Sequence, residues 1–314
     1  MYMYTGTVLS YMKSVWLNIR KDRPYVHRYT KKKKGLMMVK HEEMQWVSND
    51  GLKLFAQKWK PEGEARAVIS LVHGHGEHSG RYSHWAEKLN NAGYAVLASD
   101  LRGHGRSEGQ RGDSPSFDHY ADDVTILLEK TEELFSGKPI FLYGHSLGGL
   151  IVLFTLIQRR PEIKGAVVTS PVLHTAIVEQ KAKMAAAKIL GSVFPKATLP
   201  SGLAQEALSR DPAVIEAYRN DPLVHDKGSL RMAKDMISTM AYVLERAAEI
   251  EVPLLLMHGS GDQITYAAGC EQLKTVMRGD CTLKLYDGYY HELHNEPEKD
   301  EVFEYLREWL DQKL

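Results

Sequence analysis

Cysteine is scarce in this chain of 314 residues: Cys270 and Cys281 permit at most one disulfide, which excludes a small scaffold held together by cross-links. Neither lies beside a histidine or another cysteine at metal-ligand spacing, so both read as structural. An excess of either charge is also missing, with 40 basic and 40 acidic residues. No internal repeat is present, and no low-complexity segment beyond a run of four lysines at 31–34. The apolar segment at 8–19 is too short and too interrupted to span a bilayer. It also lacks the preceding basic residues and the following small-residue cleavage site of a secretory signal, so a cytoplasmic location is expected.

The balanced total hides an uneven distribution. Residues 1–40 hold ten Lys or Arg against one acid, Asp22, so the remainder carries 30 basic and 39 acidic residues, a net of −9. An acidic body argues against a nucleic-acid surface. The first segment places Val8, Leu9, Met12, Val15, Trp16 and Ile19 on one helical face ahead of the lysines. That arrangement suits peripheral contact with an anionic membrane. The preferred reading is plainer, an extension upstream of a start at Met37 or Met38.

The rest is organised around residues 139–150, Pro-Ile-Phe-Leu-Tyr-Gly-His-Ser-Leu-Gly-Gly-Leu. A short apolar run, then G-x-S-x-G, then a helical stretch is the order that a nucleophile elbow requires, with Ser146 as nucleophile. Around it, strands are expected at 44–48, 52–60, 67–72, 94–99, 139–143, 164–169, 253–257 and 282–286, and helices at 81–92, 117–135, 147–160, 266–277 and 298–314. Asn49-Asp50-Gly51 marks a hairpin between the first two strands. Strand–helix alternation implies an α/β fold, with a mostly parallel sheet covered by helices on both faces. Four parts follow: an extension at 1–40, a core at 41–171, a strand-free helical cap at 172–250, and a second core part at 251–314. Ile177, Met184, Ile189 and Leu190 in the cap are expected to line an acyl channel.

A serine hydroxyl needs a histidine to take its proton and a carboxylate to orient that histidine. Asp262 ends the glycine turn after strand 253–257, and His291 follows strand 282–286, giving the order Ser, Asp, His. Two donors must face the developing oxyanion. They are expected to be the backbone N–H of Leu147 and that of His75 in His73-Gly74-His75-Gly76-Glu77. His291-Glu292-Leu293-His294 does not have the i, i+4 histidines of a zinc helix, and His73, His75, Glu77 and His78 read as a loop presenting backbone. No metal is expected.

Five segments together carry a family resemblance: His-Gly-His-Gly-Glu-His-Ser-Gly-Arg-Tyr at 73–82, Asp-Leu-Arg-Gly-His-Gly-Arg-Ser at 100–107, Gly-His-Ser-Leu-Gly-Gly at 144–149, Gly-Ser-Gly-Asp at 259–262 and His-Glu-Leu-His-Asn-Glu at 291–296. As a set they resemble the monoacylglycerol lipase and lysophospholipase branch of the α/β-hydrolases, over about residues 42–314. The resemblance implies the α/β-hydrolase fold, hydrolysis of lipid esters with one acyl chain, a mobile cap and no cofactor. It also implies that Glu77 and Arg81 help to bind the polar head group, and His294 is read as a pocket residue beside them. His75 departs from the family, which often has a small residue there. A general carboxylesterase or lysophospholipase is the alternative within enzymes, and a ligand-binding protein without catalysis is the remote one.

Overall fold

The computed structural model describes residues 27–29, 40–176 and 180–314, leaving aside the side chains of 27–29, 181–184 and 186. The amphipathic basic segment, Ile177 and the Met184 side chain therefore lie outside the described residues.

Among the described residues, nine strands form one sheet, in the order β1-β2-β3-β5-β4-β6-β7-β10-β11. These are β1 (His27–Tyr29), β2 (Lys40–Val47), β3 (Lys53–Lys60), β4 (Ala67–Val72), β5 (Tyr94–Ser99), β6 (Ile140–His145), β7 (Gly165–Thr169), β10 (Leu254–Gly259) and β11 (Cys281–Tyr286). The first four neighbours pair antiparallel, and from β5 to β11 all pairs are parallel. The β2–β3 hairpin closes through Gly51, whose φ of +90° is costly for any residue with a Cβ. Short β1 pairs with β2, so three residues of the expected extension belong to the sheet.

Helices cover both faces. Side chains alternate along a strand, so in β6 Leu142 joins one core, while Phe141 and Tyr143 join the other. The first core is closed by α2 (Phe117–Leu134), α3 (Leu147–Gln158), the later part of α6 (Leu230–Arg246) and α7 (Ala268–Val276). The second is closed by α1 (Ser83–Asn91) and α8 (Lys299–Lys313), through Trp85, Leu89, Leu306 and Trp309. Residues 147–157 of α3 are all buried, as its almost wholly apolar sequence requires.

The segment between β7 and β10 contains α4 (Lys181–Val193), α5 (Pro212–Asn220) and α6. It was expected to be free of strand, but β8 (Thr198–Pro200) pairs antiparallel with β9 (Lys227–Ser229). Three residues each, one strand ending in proline and the other holding glycine, are too few to alternate visibly. Met240 and Val243 of α6 join the first core, so the last helix of this segment supports the sheet as well as the cap.

Candidate active site

The nucleophile position is built by close backbone packing. Ser146 caps α3 directly after β6, with φ 54° and ψ −117°, a conformation that residues with a Cβ rarely adopt. A Cβ on Gly144 would lie 2.5 Å from the Gly148 carbonyl oxygen. One on Gly148 would collide with the carbonyl oxygens of Val72 and His73 at the end of β4. The two glycines of G-x-S-x-G therefore let strand, helix and neighbouring strand converge beneath the serine.

Asp262 and His291 reach Ser146 from loops after β10 and β11. His291 Nε2 lies 2.9 Å from Ser146 Oγ, and His291 Nδ1 lies 2.7 Å from Asp262 Oδ2. A carboxylate can only accept, so Nδ1 carries the hydrogen and bare Nε2 faces the serine hydroxyl. Asp262 also accepts from the backbone N–H groups of Ile264 at 2.8 Å and Thr265 at 3.1 Å, and from the Thr265 hydroxyl at 2.9 Å. Ser170 Oγ donates to the His291 carbonyl at 2.8 Å and fixes the histidine's backbone.

Burial pushes the Asp262 carboxyl upward, but the charge and hydrogen bond of His291 outweigh it and hold the group at about 2. Burial pushes His291 downward, and the Asp262 carboxylate overcomes it, so the imidazole ends above its ordinary value. The pair can thus take a proton from Ser146 and stabilise the resulting imidazolium.

The loop after β4 lies against the nucleophile: a Cβ on Gly74 would sit 3.2 Å from Ser146 Cβ. Among the described residues, the N–H groups of His75 and Leu147 donate to no protein acceptor. The His75 ring turns toward the cap, edge-on to His104 and His225 at centroid distances of 5.4 and 5.7 Å. Burial, then the neighbouring His225 and His73, holds the His75 imidazole down at about 4.

Glu77 and Arg81, the expected head-group ligands, are held together by internal partners. Glu77 Oε1 accepts from Gly74 N–H at 2.6 Å and from Tyr82 hydroxyl at 2.7 Å, and Oε2 accepts from Arg81 at 2.6 Å. Its side chain is 3% exposed. Burial raises the Glu77 carboxyl, but Arg81, His145 and His73 together hold it at about 2. Arg81 also makes two bonds to Glu292, and its guanidinium lies 4.7 Å from the Tyr218 ring of the cap. His294 is fully buried and stacked on Tyr82 at 4.6 Å, with neither ring nitrogen hydrogen-bonded. Burial, then His145 and His84, pushes its pKa well below the ordinary imidazole value.

Two of the expected channel residues, Ile189 and Leu190, lie on α4. Gly191 lies against Leu230 of α6, so the face of α4 that carries it is the inner one. Ile189 and Leu190 lie on the outer face, 64% and 43% exposed, together with Val193 and Phe194. Sequence reasoning missed Thr265, Ser170 and Glu292. Only Glu292 carried a signal, its place directly after His291.

A strained serine elbow, with base and acid delivered after two later strands of a mostly parallel sheet, defines a serine hydrolase of the α/β-hydrolase fold. Residues 63–298 match the Serine aminopeptidase, S33 family. The human monoglyceride lipase is 35% identical over 272 residues, which cover 85% of this chain and 89% of that protein. An abhydrolase domain-containing protein of Dictyostelium discoideum is also 35% identical, and this chain spans only 29% of its length. The crystal structure of Paleococcus ferrophilus monoacylglycerol lipase is 37% identical with a TM-score of 0.76, covering 83% of this chain and 99% of that one. The chain belongs to the Serine aminopeptidase, S33 family, in the monoacylglycerol lipase branch of the α/β-hydrolases.

Among the described residues no helix is long and apolar enough to cross a membrane.

Proposed function

We propose that this protein hydrolyses carboxylic esters of lipids with one acyl chain, most specifically monoacylglycerols, through an acyl-enzyme on Ser146. The observation that carries the reading is the chain of contacts from Ser146 Oγ to His291 at 2.9 Å and from His291 to Asp262 at 2.7 Å. The monoglyceride lipase relatives support the substrate class.

In the proposed mechanism His291 Nε2 accepts the Ser146 proton as Oγ attacks the ester carbonyl. The N–H groups of His75 and Leu147 receive the oxyanion. His291 then protonates the leaving alkoxide, the glycerol oxygen, and the acyl chain remains on Ser146. Water, deprotonated by His291, attacks the acyl-enzyme, and collapse releases the fatty acid and restores the serine.

The outer face of α4, with Ile189, Leu190, Val193 and Phe194 exposed, suits docking onto the lipid phase that supplies the substrate. Peripheral contact of residues 1–40 with an anionic membrane would act beside it.

The test is a chain-length series of monoacylglycerols and p-nitrophenyl esters, with a lysophospholipid for comparison. Higher kcat/KM for long-chain monoacylglycerols supports the reading. Preference for short acyl chains would favour a general carboxylesterase, and preference for the lysophospholipid would move the head-group assignment.

A further inference from the structure

We propose that Thr265 is a positioning residue of the reaction, acting on His291 through Asp262, because its amide and hydroxyl together hold both oxygens of that carboxylate. This rests on the reading of Ser146, His291 and Asp262 given above.

Thr265 N–H donates to Asp262 Oδ1 at 3.1 Å, and Thr265 Oγ1–H reaches Oδ2 at 2.9 Å. Oδ2 is the oxygen that accepts from His291 Nδ1. Thr265 and the Asp262 side chain are both fully buried, so water does not replace either bond. The threonine therefore fixes the carboxylate's rotation and draws charge from the atom that orients the base.

The hydroxyl has one proton and several neighbours. The Ser170 carbonyl oxygen and His258 Nε2 both lie 3.2 Å from Oγ1, and His291 Nδ1 lies at 3.3 Å. His258 Nδ1 sits 3.0 Å from the Gly259 carbonyl, which can only accept, so the hydrogen of the neutral ring is at Nδ1. Its Nε2 is then a lone-pair acceptor, 3.9 Å from Asp262 Oδ2. Burial favours that neutral form of His258. Oγ1 therefore occupies the gap between a carboxylate and a second histidine, and the carboxylate is the nearer and the charged acceptor.

Removing the hydroxyl takes one donor from Oδ2. The carboxylate becomes a stronger acceptor for the imidazolium, so His291 should titrate at higher pH, and its orientation should loosen. Other charges facing His291 are Glu292 on its own loop and Glu77 on the loop after β4. His145, His258 and His294 also face it. All are unchanged in a Thr265 variant.

The experiment compares the full chain with Thr265→Val and Thr265→Ser, using a soluble p-nitrophenyl ester. Thr265→Val should lose about ten- to a hundredfold in kcat, the scale of one hydrogen bond to a charged group, with KM changed by less than about twofold. The acid limb of its pH profile should move to higher pH, and Thr265→Ser should restore both kcat and limb. If Thr265→Val does not fold, Thr265→Ala compared with Thr265→Ser supplies the same contrast. An unmoved acid limb in the variants lacking the hydroxyl, or an equal loss in Thr265→Ser, would overturn the proposal. Ser146→Ala separates the two levels: an inactive Ser146→Ala beside a normal Thr265→Val overturns only the role of Thr265, whereas an active Ser146→Ala overturns the underlying triad.

Discussion

Arg81 and Glu292 form a two-pronged ion pair, with bonds of 2.6 and 2.8 Å, and the same guanidinium holds Glu77 at 2.6 Å. Glu77 fixes the Gly74 amide beside the nucleophile, and Glu292 is the residue after His291. One largely enclosed cation thus ties the proposed oxyanion loop to the loop that carries His291. Arg81→Met would leave two buried carboxylates unpaired and should cost about 3–5 kcal/mol of stability, measured by denaturant unfolding. Glu77→Gln should lower kcat/KM by a similar factor for a monoacylglycerol and for the p-nitrophenyl ester of the same acid. A loss confined to the glycerol ester would return Glu77 to head-group binding.

The base must be neutral to accept the Ser146 proton, and Asp262 holds His291 above its ordinary value. Activity should therefore fall as pH drops, with a half-point above about 6.5, the usual imidazole value. Asp262→Asn should lower kcat by roughly 10³–10⁴-fold and move the acid limb to lower pH, because the amide no longer stabilises the imidazolium. A pH–rate profile of both proteins checks the direction. An acid limb that stays in place in the variant would separate Asp262 from His291.

Close packing beneath the elbow gives a sharp structural test. Gly148→Ala places a methyl against the carbonyl oxygens of Val72 and His73, neither of which is a movable side chain. It should destabilise the protein by about 3 kcal/mol or prevent folding. Gly63→Ala, with open space around its Cβ, is the control and should change stability by less than about 0.5 kcal/mol. Equal melting temperatures for the two variants would contradict the packing described.

At the exposed C-terminal end of α4, Val193 and the capping residue Phe194 are 60% and 57% exposed. Val193→Asp and Phe194→Asp should leave hydrolysis of a soluble short-chain ester within about twofold, because surface changes rarely disturb the fold. Activity toward monoacylglycerol in vesicles should fall several-fold, read from initial rates at matched protein concentration. Unchanged rates on vesicles would remove this face from substrate delivery.

Much of this arrangement was legible because backbone chemistry writes itself into glycine spacing. Gly144 and Gly148 sit where a side chain cannot fit, and the apolar runs of β4, β5, β6 and β10 have the continuous burial of a parallel sheet. The chain order of Ser146, Asp262 and His291 followed from the strands that precede them. What the sequence hid were contacts between distant side chains. Nothing in Glu77 or Arg81 announces that Glu292 lies within reach, so the ion pair that joins them was not legible. The outward face of α4 was equally hidden, because Gly191, not an apolar residue, marks its inner side. Thr265 gave no signal at all, since its role depends on the rotamer of Asp262.

The most direct test is hydrolysis of monooleoylglycerol by the wild-type chain and by Ser146→Ala, with peptide mass spectrometry of a fluorophosphonate-treated sample. The expected result is a single adduct on Ser146 and a loss of about 10⁴-fold or more in the variant, whose melting temperature should be unchanged. Full turnover by Ser146→Ala, or an adduct on a different residue, would contradict the acyl-enzyme account.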